Sequence, residues 1–395
     1  QSMDMNTQAI DRDKDTLFAT VDKQHAFVSG HDVYLKDYNG HEVIDLFNDF
    51  GTYALGYSYA PVIAAAVKQL STLPFVSYTS ANDVRTSYAR KLLDETGMDK
   101  CIFALGGSDA IEIAIKIGRA YIAEHWGNPL AKKIAYFNND FHGQTMGATL
   151  CGDGPRYHWK KFYDKYGDEG AGFQYIAPND NLDDSIGAVL ICPAMTGLGG
   201  IAMVGRDAMK AIRQWAVQFD GLIIVDEIQT GMWRLGEHYF GSYTHQDGQF
   251  APDVICLSKG IGGGFPLAAV LAKGKAVPPF DFRSAHYSTY MGSLLGCAAG
   301  IAAFDDVKNI FRYKNMDVLF RTCAKSLVNM DGLGCLYAFD YAEADKFCRE
   351  MYQNGVLVRS VKKGVVKFSL PWILNDEHFD VIGCAIERSL KVMNG

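Results

Sequence analysis

The stretch that decides the fold is Leu222-Ile-Ile-Val-Asp-Glu-Ile-Gln229, an apolar run of four residues followed by two acids. Two similar runs, Ala188-Val-Leu-Ile-Cys192 and Val254-Ile-Cys-Leu257, lie on either side of it in the chain. Runs this short and continuously apolar, alternating with amphipathic helical segments, are typical of parallel strands covered by helices. We therefore expect an α/β fold whose ligand lies at the carboxyl ends of these strands.

The two ends of the chain follow a different pattern. Asp32–Asp37 and Glu42–Leu46 predict two strands around an Asn39-Gly40 turn, and from about residue 300 helices predominate, with a strand at Val365–Leu370 and a last helix after Asn375. We predict an N-terminal segment, 1–55, that joins a small α+β domain at 301–395. The large domain with a mostly parallel central sheet would span 56–300.

Lys259 and Asp226 are the first candidates for chemistry, because each directly follows an apolar run or lies within one residue of it. A partly desolvated lysine before a glycine-rich turn suits Schiff-base chemistry, although a solvated loop lysine is the alternative. An acid after a strand can pair with a protonated pyridine nitrogen, or be a simple strand-end acid. Magnesium binding, as in nucleotide triphosphatases, would need a G-x-x-x-x-G-K-[ST] loop, which this sequence lacks.

Two further segments could hold a cofactor. Gly106-Gly-Ser108 begins an amphipathic helix and could bind a phosphate through backbone N–H groups and a hydroxyl, or be an ordinary helix cap. Asn138-Asn-Asp-Phe-His-Gly143 follows the apolar run 134–137, so Phe141 or His142 could lie flat against a ring, or fill the core.

Together these segments resemble the class III pyridoxal-phosphate aminotransferases, the family of ornithine, 4-aminobutyrate, acetylornithine and diaminobutyrate transaminases. The resemblance runs from about Asp32 to the C-terminus and is strongest in Asp226–Gly231, Pro252–Pro266 and His286–Gly292. It implies the fold of type I pyridoxal-phosphate transferases, with pyridoxal 5'-phosphate (PLP) as the cofactor.

The resemblance also implies a role for each matching residue. Lys259 would bind PLP as a Schiff base and then move the substrate proton, while Asp226 would hold the pyridine nitrogen. The other matches are Gln229 at the ring oxygen, Gly107 and Ser108 at the phosphate, Phe141 stacked on the ring, His142 beside it, and Thr289 reaching the phosphate from a second subunit. The last match implies a homodimer with shared active sites.

The sequence departs from the family where the substrate is bound. Both family acids after the strand at 188–192 are missing, with Cys192 and Leu198 in their places, and Lys367 stands where an arginine grips the α-carboxylate. Lysine cannot make the bidentate contact of arginine, so we expect glutamate and 2-oxoglutarate to be poor partners or to be held by another cation, Arg359. The alternative is that Lys367 is only an exposed strand residue.

Asp49–Gly56 resembles the glycine-rich segment of the diaminobutyrate transaminases, so Phe50, Thr52 and Tyr53 could line the substrate pocket or belong to the core. We predict an aminotransferase that moves an amino group between a primary amine, such as the distal amine of a diamino acid or an amino sugar, and an oxo acid or aldehyde. A decarboxylase, aminomutase or epimerase on the same fold, and a non-catalytic relative, are the alternatives.

Composition limits the partners. The chain of 395 residues has a net charge of −7 with scattered Lys and Arg, so we expect small-molecule substrates, without nucleic acid or membrane as partners. Its nine cysteines include no C-x-x-C pair, which argues against a metal site or a disulfide framework and favours a reducing compartment. No basic and apolar leader is recognisable, and we expect a cytoplasmic location.

Overall fold

The computed structural model describes residues 4–18, 23–137, 140–152, 172–177, 180–195, 202–236, 238–240, 251–277, 285–362 and 364–394. In chain order the strands are β1 (Phe27–His31), β2 (Tyr34–Asp37), β3 (Glu42–Asp45), β4 (Lys100–Ala104), β5 (Lys133–Phe137), β6 (Phe173–Ile176), β7 (Ile186–Ile191), β8 (Ala194–Met195), β9 (Ala202–Met203), β10 (Leu222–Asp226), β11 (Val254–Leu257), β12 (Ala268–Ala272), β13 (Met330–Leu333), β14 (Leu336–Asp340), β15 (Val356–Leu357), β16 (Arg359–Lys362) and β17 (Val365–Ser369).

The helices of the described residues are α1 (Met5–Thr16), α2 (Ala60–Thr72), α3 (Asp83–Thr96), α4 (Gly107–Trp126), α5 (Met146–Leu150), α6 (Arg206–Phe219), α7 (Leu294–Ile310), α8 (Met316–Cys323), α9 (Ala344–Gln353) and α10 (Asp376–Asn394). Short 3₁₀ turns occupy Lys259–Gly262, Gly274–Ala276 and Phe311–Tyr313. Within these ranges, no helix combines the length and the apolar character that crossing a membrane requires.

A seven-stranded sheet with the order β4-β12-β11-β10-β7-β5-β6 forms the centre of the molecule. Neighbouring strands are parallel from β11 through β10, β7 and β5 to β6. Strand β12 runs antiparallel to both of its neighbours, β11 and β4. The predicted α/β fold with a mostly parallel sheet is confirmed. The predicted strands at 188–192, 222–225 and 254–257 are β7, β10 and β11.

Helices on both faces explain why these strands are continuously apolar. Leu190, Ile224 and Val254 pack with α4 on one face. Val189, Ile223 and Val225 pack on the other face against α6, through Met209, Ile212 and Trp215. Since neither face of β7 or β10 meets water, alternation of polar and apolar residues is lost.

The described residues also form three smaller sheets, a two-stranded one made of β8 and β9 and two four-stranded ones. One has the order β1-β2-β3-β15, in which β3 pairs in parallel with β15, and the other has the order β13-β14-β17-β16. The predicted N-terminal hairpin is β2 and β3, joined by a turn in which the Gly40 N–H donates to the Asp37 carbonyl. The division at 55 and 300 stays a prediction; β3–β15 pairing supports it, whereas α7 runs across residue 300.

Candidate active site

The carboxyl ends of β5, β7, β10 and β11 meet around one cavity of about 200 Å³. The lining residues are Gly107, Ser108, Phe141, His142, Gly143, Cys192, Asp226, Ile228, Gln229, Thr230, Ser258 and Lys259. The cavity therefore brings together seven of the eight residues that the sequence predicted for the cofactor. It lies at the edge of the sheet where ligands of α/β proteins bind.

Asp226 is the last residue of β10, and its buried carboxylate is held on both oxygens. The Ile228 N–H donates to Oδ1 at 3.0 Å, and His142 Nδ1 lies 2.7 Å from Oδ2. A carboxylate fixed in this way has one orientation, which suits it to pair with a cationic group in the cavity.

Lys259 begins the 3₁₀ turn that follows β11. Its φ of 52° is in the left-handed region, which is unfavourable for a residue with a Cβ, and the turn is fixed by the Ser258 hydroxyl donating to the Leu267 carbonyl at 2.9 Å. Burial lowers the pKa of Lys259 to about 8, against the opposing charge of Asp226. A lysine in this setting is a better nucleophile at neutral pH than a solvated loop lysine.

The N-terminus of α4 supplies the end of the cavity that suits an anion. Gly107 and Ser108 line the cavity, and no side chain in the described part of the chain caps this helix end. A Cβ added at Gly106 would meet no atom within 4 Å, so there is open space above the free N–H groups. Free helix amides next to open space fit a phosphate.

Phe141 and His142 take different positions. Phe141 lines the cavity and is 39% exposed, so its ring is available to stack on a bound ring. The imidazole of His142 is buried and directed at Asp226. Of the two aromatic residues, Phe141 is thus the candidate for stacking, and His142 supports the carboxylate.

Gln229 connects the cavity to the C-terminal sheet. Lys367 Nζ donates to Gln229 Oε1 at 3.3 Å, and Gln229 Nε2 donates to the Phe50 carbonyl at 3.2 Å. Lys367 is only 3% exposed, so the interpretation of Lys367 as an exposed strand residue is wrong. Burial, and then the charge of Lys259, lower the pKa of Lys367 to about 7.

Arg359 lies on β16 directly opposite Lys367 of β17. Its guanidinium carbon lies 5.2 Å from the centre of the Phe47 ring. Its Nε atom is buried and has no hydrogen-bond partner among the described residues. The two basic side chains are thus neighbours across β16 and β17.

The segment at 48–53 forms a strained turn beside Lys259. Asn48, Asp49 and Phe50 all have positive φ, and the Phe50 ring centre lies 5.8 Å from Lys259 Nζ. The turn is held from outside, because Arg234 Nη2 donates to the Gly51 carbonyl at 2.6 Å. Phe50 therefore remains a candidate pocket residue.

Thr52 and Tyr53, the other two candidate pocket residues of this segment, make mainly structural contacts. The Thr52 hydroxyl donates to the Asp49 carbonyl at 2.8 Å, and the Tyr53 ring packs on Tyr57 with centroids 4.4 Å apart. One further predicted cofactor residue does not line the cavity. Thr289 is exposed, and Leu198 falls outside the described residues.

Sequence reasoning missed the residues behind Asp226. Asp140 and Cys192 are buried, and together with His142 they bring ligand-type atoms within 4.8 Å of one another. Because His142 Nδ1 is directed at Asp226, we assign this group to the support of that carboxylate. The position of Asp140 just after β5 was the available signal.

These residues fit PLP without rearrangement. The cavity offers free amides for a phosphate at one end, a fixed carboxylate for a pyridinium, and a buried amine with a lowered pKa. A mostly parallel sheet that carries these groups at its carboxyl edge defines a pyridoxal-phosphate enzyme of fold type I.

The comparisons identify the family. The sequence model of aminotransferase class-III matches residues 18–390, and the chain belongs to this family. It is therefore a PLP-dependent aminotransferase.

Similar proteins agree with this assignment. The chain is 31% identical to acetylornithine aminotransferase of Aquifex aeolicus, over 90% of this chain and 94% of the relative. It is 32% identical to acetylornithine aminotransferase of Caldanaerobacter subterraneus, over 89% and 91%. The fold is similar to ornithine aminotransferase of Toxoplasma gondii, with a TM-score of 0.90 and 23% identity over 100% of this chain and 97% of that one.

Proposed function

We propose that Lys259 binds PLP covalently and then moves a proton between the substrate carbon and the cofactor. The observation that carries this proposal is that Lys259, with its lowered pKa, shares one cavity with the fixed carboxylate of Asp226. The other proposed contacts are Asp226 to the pyridine nitrogen, Gln229 to the ring oxygen, Gly107 and Ser108 to the phosphate, and Phe141 to the ring face.

The division of labour follows from the chemistry of these groups. When bound, PLP supplies an electron sink for the negative charge that develops at the substrate carbon. Asp226 keeps the pyridine nitrogen cationic by its charge, and Lys259 accepts and returns the proton because burial lowers the pKa of its amine to about 8, close to the working pH. Phe141 and the α4 amides orient the ring between these two groups.

We infer that the donor reacts through the distal amine of a diamino acid, or through the amine of an amino sugar, and that the acceptor is an oxo acid or aldehyde. Two acetylornithine aminotransferases at 31% and 32% identity support a donor of the first kind. Arg359 and Lys367, adjacent on β16 and β17, could hold a carboxylate while the distal amine reaches Lys259.

We further propose that an acceptor carboxylate binds Arg359 and that Lys367 contributes little. The guanidinium keeps its charge at all working pH values and can make a bidentate contact, whereas the pKa of Lys367 is lowered to about 7. Glutamate and 2-oxoglutarate would then be weaker partners than in a site with a paired acid and arginine.

A half-reaction screen tests the proposed function. The enzyme loaded with PLP is mixed with ornithine, N-acetylornithine, 2,4-diaminobutyrate, glutamate or an amino sugar, and the cofactor is recovered and identified. We expect pyridoxamine 5'-phosphate with a diamino compound and the corresponding aldehyde as product. Release of CO₂, or return of PLP with a rearranged or epimerised substrate, would instead establish one of the alternative reactions.

We propose a homodimer with shared active sites. The outer face of α2 exposes Ile63, Val67 and Leu70, of which Val67 and Leu70 are each 55% exposed. This apolar surface suits a second copy of the chain, since monomers rarely leave such stripes in water. Farther along, Phe75 packs on Tyr290 with centroids 5.2 Å apart, next to Thr289. Thr289 would then reach the partner's phosphate site.

A cytoplasmic location remains our proposal. All nine cysteines are free thiols, as expected in a reducing compartment. Small amines and oxo acids are the proposed partners besides the second subunit, without nucleic acid or membrane.

A further inference from the structure

Three buried polar side chains form a row behind the cavity. Asp226 faces the cavity, His142 lies next to it, and Asp140 lies on the far side of the imidazole. His142 Nε2 is 3.7 Å from Asp140 Oδ2, an ion-pair contact that is longer than a hydrogen bond. Asp140 Oδ2 also accepts the Cys192 N–H at 2.8 Å.

The hydrogen bonds fix one proton on the imidazole. Asp226 Oδ2 can only accept when ionised, so His142 Nδ1 carries a proton toward it. His142 Nε2 and Asp140 Oδ1 are buried and have no hydrogen-bond partner among the described residues. A second proton on Nε2 would place an imidazolium charge 3.7 Å from the Asp140 carboxylate, which compensates the burial of both groups by charge attraction.

The charges around the row favour a second proton on His142. Burial raises the pKa of Asp140 to about 7. Burial opposes protonation of His142, but the hydrogen bond and charge of Asp226, followed by the charge of Asp140, raise its pKa overall. The other groups that face this row are Lys259 and the thiols of Cys151, Cys192 and Cys256. Burial raises the pKa of the Cys151 and Cys256 thiols well above the ordinary value, so both thiols stay neutral.

We propose that Asp140 is a positioning residue that keeps His142 doubly protonated, so that the imidazolium fixes Asp226 ionised and directed into the cavity. The inference rests on the proposed role of Asp226 at the pyridine nitrogen. Without the Asp140 charge, the second proton leaves His142, and the ring is held through Nδ1 alone. Asp226 then loses a cationic neighbour and its orientation becomes less well defined.

The direct test is nitrogen NMR of the histidine rings in the cofactor-free chain. Wild-type protein, Asp140→Asn and a control variant of an exposed acid, Asp184→Asn, are labelled with ¹⁵N-histidine, and His142 is assigned with His142→Gln. We expect His142 to be cationic at pH 7 in wild type and control. In Asp140→Asn, His142 should be neutral, with its proton on Nδ1. Its pKa should be lower by about one unit or more, which is a tenfold loss of proton affinity.

A neutral His142 in wild-type protein at pH 7, or a cationic one unchanged in Asp140→Asn, would overturn the proposal. If Asp140→Asn does not fold, the wild-type titration decides, because an ion pair between these groups requires the carboxyl at position 140 and His142 to titrate as a coupled pair. The readout needs no cofactor and no turnover, so it separates this inference from the proposed function. In loaded enzyme, Asp140→Asn should also change the pH at which the cofactor absorbance titrates, while Asp184→Asn should not.

Discussion

At the scale of single residues, the reactivity of Lys259 comes from its position one residue beyond a buried strand. The amine is desolvated, and the glycines that follow allow the backbone to turn sharply beneath the cavity. The charge of Asp226 keeps the pKa from falling further. The balance leaves an amine that changes its protonation state close to neutral pH.

The rate at which cofactor-free enzyme binds PLP covalently should therefore depend on pH. Only the neutral amine attacks an aldehyde, so the rate should rise about tenfold per pH unit below the Lys259 pKa of about 8 and level off above it. Stopped-flow absorbance between pH 6 and 11 measures this. A rate that keeps rising beyond pH 10, as for an ordinary lysine, would show that Lys259 is solvated.

At the scale of secondary-structure elements, the hairpin of β16 and β17 places two cationic side chains beside each other. Because a guanidinium and an amine side by side can both donate to an anion, we assign the carboxylate of the acceptor to this hairpin. The two members differ in charge state, because burial lowers the pKa of Lys367 whereas an arginine stays protonated.

Arg359→Met should reduce kcat/KM for dicarboxylate oxo acids by about 10- to 100-fold. This is the loss expected when a hydrogen bond to a charged group, which contributes about 1.5–3 kcal/mol, is removed. The loss for an aldehyde acceptor without a carboxylate should be small. Steady-state kinetics with both acceptors measure the difference, and Arg388→Met on α10 serves as control. An equal loss for both acceptors would indicate a structural effect, and no loss would remove Arg359 from the site.

Burial of the Lys367 amine should also make the free energy of unfolding depend on pH. Its folded pKa of about 7 lies below the ordinary value of 10.5, so between these values the unfolded chain binds more protons and stability rises with pH. Lys367→Met should make this rise smaller, by up to about 1.4 kcal/mol per pH unit between pH 7 and 9. Urea unfolding of cofactor-free protein measures it, with exposed Lys325→Met as control. Identical pH dependence in wild type and Lys367→Met would contradict burial of the amine.

How much of the structure could be predicted from the sequence also depends on the secondary-structure elements. Strands β7, β10 and β11 could be predicted because burial on both faces leaves continuous apolar runs, and Asp226 and Lys259 followed from the ends of two of them. The supporting role of Asp140 could not, because the contact of its neighbour His142 with Asp226 depends on how β5 and β10 pair with β7. The left-handed turn at Asn48–Phe50 contains no glycine at the strained positions, so composition gives no signal for it.

At the scale of the whole molecule, the exposed apolar residues of α2 form the surface that we propose a second copy of the chain covers. The residues recur every three or four positions, which places them on one face of the helix, while Val62 and Ala66 face the core. A second copy would cover this stripe and bring Thr289 near the neighbouring site. Such an arrangement would make activity depend on assembly.

Val67→Glu combined with Leu70→Glu should convert the dimer to monomers at micromolar concentration, because each carboxylate would have to be buried without a partner. Sedimentation velocity measures the change, and loss of activity should follow it. Val217→Glu is the matched control, since Val217 is 74% exposed on α6. A monomeric wild-type protein, or a dimer that survives both substitutions, would contradict the proposed interface.

The most direct test of the account is to reduce the PLP-loaded enzyme with borohydride and locate the pyridoxyl group by peptide mass mapping. The site contains two buried amines with lowered pKa values, Lys259 and Lys367, so the result distinguishes between them. We predict a single label on Lys259, none on Lys367, and no label in Lys259→Ala. A label on Lys367, or labelling of Lys259→Ala to the wild-type extent, would contradict the central claim.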